Sequence, residues 1–128
     1  MKKITRFHAK KILDWCKKKY GRGTCRYPTL SYRKSNYLDT EDVFGEYDFE
    51  DFSIYVNNEK HGNLYDLANT IIHEYVHYRY HKKSMYYKLD EKYGHENNPF
   101  EKQAVSVANR DEKKCVQELK KYYKQFNL

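Results

Sequence analysis

Two histidines four positions apart, with a glutamate directly after the first, are the residues best placed by type and spacing to do chemistry: His73-Glu74-Tyr75-Val76-His77. On a helix, residues four apart stack on one face. Two imidazoles so placed can close on one tetrahedral cation with little rearrangement, and zinc (Zn2+) is the ion that suits them. Glu74 lies about 100° further round the helix. It can reach a water at the metal without being a ligand, which suits a general base. Six histidines and ten glutamates scattered at random over 128 positions would give this pattern in about 2% of chains. The alternative is a solvated polar face that happens to hold two histidines.

A catalytic zinc takes a third protein ligand and keeps a fourth position for water. The downstream candidates are Glu91, His95, Glu96 and Glu101. Glu101 stands in Asn98-Pro99-Phe100-Glu101-Lys102-Gln103-Ala104, where Asn98 can cap a helix with Pro99 at its first position. A carboxylate one turn inside that helix is held firmly, and Ala104 lets the helix lie close to the motif helix. Asn98 and Glu101 also fit a capping box, in which Glu101 would only close the helix end. His95 is the rival ligand, in a Gly94-His95-Glu96 loop that holds a ligand less rigidly.

The elements that must position these residues can be read from periodicity. Residues 4–20 carry Ile4, Phe7, Ile12, Trp15 and Cys16 at helical spacing, ended by Gly21 and Gly23. Residues 28–35, 43–47 and 52–56 read as strands, the last two as a hairpin across Asp48-Phe49-Glu50-Asp51. Residues 64–82 form the clearest helix. Leu64, Leu67, Ala68, Ile71, Tyr75 and Tyr78 share one stripe, with His73 and His77 nearly opposite, beside Asp66, Thr70 and Tyr80. A short helix over 84–93 stops at Gly94. The last helix starts at Pro99, breaks near 109–111, and runs on to Phe126. The expected class is therefore α+β: an N-terminal helix, a short antiparallel or mixed sheet, the motif helix, and C-terminal helices, in one domain over 1–128.

His73-Glu74-x-x-His77 followed by Asn98-Pro99-x-Glu101-x-x-Ala104 resembles the gluzincin zinc peptidases. It is especially similar to the small single-domain minigluzincins and related compact proteins of phages and prokaryotes. The resemblance covers about residues 43–104, and Gly45-Glu46-Tyr47-Asp48 before residues 52–57 resembles the hairpin edge strand that precedes the metal helix there. It implies a small zincin-like fold, Zn2+ held by His73, His77 and Glu101, and Glu74 as general base. It also implies hydrolysis of a peptide or protein substrate laid along the 43–47 edge. Gly94-His95 resembles the SprT-like peptidases, where a downstream histidine is the third ligand. The aromatic and small residues expected after that histidine are missing here. In the implied mechanism Glu74 takes a proton from the attacking water and passes it to the leaving amine. Tyr80, His81 and His95 are the open candidates for a further oxyanion donor.

The rest of the composition sets bounds. Net charge is +7, but basic and acidic residues are interleaved, so a solvated surface is favoured over a nucleic-acid partner. The basic aromatic stretch Lys120-Lys121-Tyr122-Tyr123-Lys124 fits a solvated face beside Phe126 better than a single-strand binding platform. Three cysteines without Cys-x-x-Cys spacing exclude a disulfide scaffold and a thiolate zinc ribbon, and point to a reducing compartment. No apolar run is long enough to span a bilayer, and the first residues lack a secretory apolar segment. A cytoplasmic monomer is expected, in the host cytoplasm for a viral or phage protein. His8 and His61 have no partner spacing and are expected at the surface, and Trp15 in the core. Two other functions compete with the peptidase: a binding module with structural zinc, which would have no need of Glu74, and a DNA-associated SprT-like peptidase.

Overall fold

The computed structural model describes residues 3–34 and 43–128. The chain runs through helix α1 (Arg6–Tyr20), strands β1 (Thr29–Arg33), β2 (Gly45–Asp48) and β3 (Ser53–Asn57), and helix α2 (Leu64–Tyr80). Helices α3 (Lys83–Tyr93) and α4 (Pro99–Tyr122) and a short 3-10 turn (Lys124–Phe126) complete it. This is an α+β fold: among the described residues, four helices with a three-stranded mixed sheet. Ser35, the last residue of the first expected strand, lies outside the described residues. Among the described residues no helix is long and apolar enough to cross a membrane.

The sheet order is β1-β3-β2. The expected hairpin pairs β2 with β3 antiparallel, Gly45 opposite Val56 and Tyr47 opposite Ile54. β1 pairs with β3 in parallel, Leu30 opposite Ile54 and Tyr32 opposite Val56. The central strand is buried from Ile54 to Asn57, as its near-continuous apolar run requires. Asn57 organises the loop that follows: its carboxamide bonds the Val43 carbonyl and the Glu59 N–H, and its own carbonyl meets His61.

α2 runs through the middle of the molecule. Asn63 caps it by accepting from the Asp66 N–H at 2.9 Å. The apolar stripe of Leu64, Leu67, Ala68, Ile71, Tyr75 and Tyr78 is buried as expected. The opposite face is covered too, since Thr70, Glu74 and His77 are buried as well. α4 is the main cover, and Ala104 and Ala108 are fully buried, small enough to let the two helices approach.

The expected break near 109–111 does not occur. Asn109 instead accepts from Asn69 of α2 at 2.8 Å. Asp111 is buried, accepting from the Tyr20 hydroxyl at 2.6 Å and from Arg110 at 2.9 Å. Residues that would favour leaving the helix locally are occupied by tertiary bonds. His8 and His61 also differ from expectation. His8 is buried, accepts the Thr5 N–H on Nδ1, and donates from Nε2 to the Gln125 carbonyl at 2.7 Å. His61 bridges the Asn57 carbonyl and the Thr70 hydroxyl. Trp15 is buried, with its indole N–H on Glu118. Cys16 and Cys115 are buried and all three cysteines are free.

Candidate metal centre

The floor of the site is one turn of α2. His73, Glu74 and His77 each present a ligand atom within 4.8 Å of the others. α4 supplies the fourth group. Asn98 caps α4 by accepting from the Phe100 N–H at 2.9 Å. Glu101 does not complete a capping box; its carboxylate turns to α2. Its Oε1 lies 2.8 Å from His73 Nε2, and its Oε2 lies 3.1 Å from His77 Nε2. The structure thus brings together all four residues singled out from the sequence.

Charge and burial shape these groups. Burial opposes protonation of His73, but Glu101 and Glu74 outweigh it and raise its pKa. Burial would raise the Glu101 pKa, yet hydrogen bonds from His73 and Tyr86, with the His77 ring close by, hold this carboxyl well below the usual range. Burial pushes the Glu74 carboxyl up, partly offset by the two histidines. A carboxylate raised in this way is a better proton acceptor, as a general base requires.

Tyr86 of α3 is the residue that spacing does not reveal. It is buried, and its hydroxyl donates to Glu101 Oε2. Asn98 ties it in place by donating to its carbonyl at 3.2 Å. No periodicity marks one tyrosine among fifteen; only the packing of α3 against the start of α4 picks it out. His95 sits at the rim with its side chain 68% exposed, its Nε2 3.9 Å from Glu101 Oε2. Of the other two oxyanion candidates, Tyr80 is 48% exposed and lies under the Arg79 guanidinium. His81 is buried behind His77, its Nδ1 2.9 Å from His77 Nδ1 and its Nε2 2.6 Å from Gln103 Oε1. Burial lowers the His81 pKa to about 4. Neither Tyr80 nor His81 lines the cleft; His95 and Tyr86 do.

The cleft over the centre encloses about 1250 Å³ between β2 on one side and α3 and α4 on the other. Gly45 of β2 passes so close to α2 that a Cβ there would lie 2.6 Å from Thr70 Cγ2 and 2.8 Å from the Tyr55 carbonyl oxygen. β2 is an outer strand of the sheet, and Phe44, Gly45, Glu46 and Tyr47 form one wall.

The chain matches no family model, no curated protein and no solved structure. The donor chemistry must therefore be judged on the site itself. His77 Nε2 is buried and makes no hydrogen bond among the described residues, although Glu101 Oε2 is 3.1 Å away. A buried ring nitrogen without a partner is costly unless something else binds it. Two imidazole nitrogens and one carboxylate, open to a cleft on the remaining side, fit a divalent ion of the zinc type.

Proposed function

We propose that this chain is a zinc-dependent peptidase of the gluzincin arrangement, with His73, His77 and Glu101 as ligands and Glu74 as general base. The observation that carries this reading is the convergence of His73 Nε2, His77 Nε2 (without a hydrogen bond among the described residues) and the Glu101 carboxylate in one cleft, beside Glu74. Zinc bound there supplies a Lewis acid for the scissile carbonyl and for the attacking water. The chain's own residues do the rest. An extended polypeptide lies along the outer edge of β2 by strand addition. The Glu74 carboxylate takes the proton of the attacking water and delivers it to the leaving amine. Tyr86 keeps Glu101 oriented and lies within reach of a charge developing in the cleft.

The cleft also bears on the competing partners. Among the described residues it is lined by seven carboxylates (Glu46, Asp66, Glu74, Asp90, Glu96, Glu101 and Glu112) and by Lys102 as the one Lys or Arg. Such a wall repels a polyanion, so a polypeptide is the better substrate than a nucleic acid.

Elemental analysis of purified protein should find one zinc per chain, and a peptide library should be cut in the absence of chelator and spared in its presence. Glu74→Gln should keep the zinc and lose hydrolysis by about 10²–10⁴-fold. Full turnover in that variant removes Glu74 from the role of base. A zinc-free chain that still cuts removes the metal.

A further inference from the structure

The β2 edge that borders the cleft is held by a polar chain that the proposed chemistry does not use. Asn57, fully buried at the end of β3, donates from its backbone N–H to the Phe44 carbonyl at 2.9 Å and from its carboxamide to the Val43 carbonyl at 3.2 Å. Its own carbonyl meets His61 Nδ1 at 2.9 Å, and His61 Nε2 meets the Thr70 hydroxyl at 2.8 Å. A carbonyl only accepts, so Nδ1 carries the ring proton. Burial lowers the His61 pKa, and the neutral ring accepts the Thr70 hydroxyl on Nε2. The same ring stands edge-on to Phe44, centroids 5.8 Å apart.

These bonds converge on Gly45. Antiparallel ladders alternate. With the Phe44 carbonyl bonded inward to β3, Gly45 and Tyr47, opposite Val56 and Ile54, turn their N–H and C=O to the outer edge. Gly45 also lies against α2: a Cβ there would be 2.6 Å from Thr70 Cγ2 and 3.7 Å from Glu74 Cγ. Because His61 binds the Thr70 hydroxyl, the methyl is what faces Gly45. One staggered step of Thr70 χ1 would put the hydroxyl there instead, a polar group set against the edge peptide.

We infer that His61 is a positioning residue for substrate: it turns the Thr70 hydroxyl away so that the methyl supports Gly45, which meets an extended polypeptide by backbone hydrogen bonds beside Glu74. The role in substrate binding rests on the peptidase reading above; the Thr70 rotamer and the phase of the β2 edge do not. Losing one such hydrogen bond weakens binding about 3–10-fold. The loss falls on KM, since ground state and transition state use the edge alike.

The test uses the full zinc-loaded chain and a peptide that it cleaves. His61→Phe keeps a ring beside Phe44 and removes both bonds. It should raise KM about 3–10-fold, with kcat within about twofold and zinc content unchanged. Adding Thr70→Val removes the freed hydroxyl and should restore most of the KM, which a general loosening of the fold would not allow. Thr70→Ser keeps the bond to His61 and loses only the methyl. It should raise KM as well, and it stands in for His61→Phe if that variant does not fold. An unchanged KM in His61→Phe or Thr70→Ser, or no recovery in the double variant, overturns the inference. A wild-type chain that cuts no peptide removes the peptidase, and the edge is then read by amide hydrogen exchange with an octapeptide of alternating Lys and Val. Slowed exchange at Gly45 and Tyr47 that His61→Phe weakens keeps the inference; no protection at Gly45 overturns it too.

Discussion

Two tasks compete for the carboxylate of Glu101. Three residues after Asn98, it could close the helix end, yet Asn98 satisfies the orphan N–H of Phe100 by itself, leaving Glu101 to face His73, His77 and Tyr86. Glu101→Ala should therefore weaken zinc binding by more than about a hundredfold, beyond the usual effect of an outer-shell change. His95→Ala should change it by less than about tenfold, because an exposed rim imidazole is poorly preorganised. Chelator competition on both variants checks this, and the reverse order would give the third ligand to His95. Two kinds of signal account for what the sequence makes legible here. His73, Glu74 and His77 sit on one element, where helical geometry alone brings them together. Glu101 is marked by a helix start that Asn98 and Pro99 announce. Tyr86 and the rear placement of His81 depend on how α3 and α4 pack on α2, which no local spacing encodes.

Among the elements, β2 and α4 do the positioning. β2 owes its place to Gly45, where a side chain would strike the Tyr55 carbonyl, a backbone atom with little freedom to yield. Gly45→Ala should cost about 1–3 kcal/mol in urea denaturation and raise KM for an extended peptide more than it lowers kcat. α4 stays continuous through Asn109 and Asp111 because those polar groups are bonded to α2 and α1. The Arg110 guanidinium, opposed by burial and helped by Tyr20, holds the Asp111 carboxyl below its usual value. A depressed carboxyl stabilises the fold fully above its unfolded pKa of about 3.9 and loses that contribution as pH falls through the lower folded value. Asp111→Asn should lower stability near neutrality by about 1 kcal/mol, after screening on the exposed arginine side. It should also flatten the acid limb of stability against pH; an acid limb as steep as wild type would mean other carboxylates set it. The helix start, the hairpin and the α+β order were readable from caps, glycines and periodicity. The parallel pairing of β1 with β3 was not, since parallel partners are far apart in sequence and share no turn.

Across the whole molecule the sign of the charge changes with place. The chain carries +7, yet the cleft is walled by carboxylates with Lys102 alone against them among the described residues. Asp66 lies in the first turn of α2, Glu112 midway along α4, and Asp90 and Glu96 on α3 and the loop beyond it. A bound divalent ion would offset only part of this, and a low-dielectric cleft focuses the remaining field on whatever enters. If the chain is the proposed peptidase, the acidic cleft favours cationic polypeptide over anionic. Lys- and Arg-rich peptides should be cut with lower KM than neutral peptides of the same length. That advantage should shrink as ionic strength rises to about 0.5 M, where the Debye length falls below about 5 Å, with kcat nearly unchanged because the proton steps at Glu74 are local. Peptides rich in Asp and Glu should be the poorest substrates at low salt and improve as salt is added. If acidic peptides are preferred at low salt, the carboxylates of the cleft do not select substrate, and the interaction must lie with the basic surface instead.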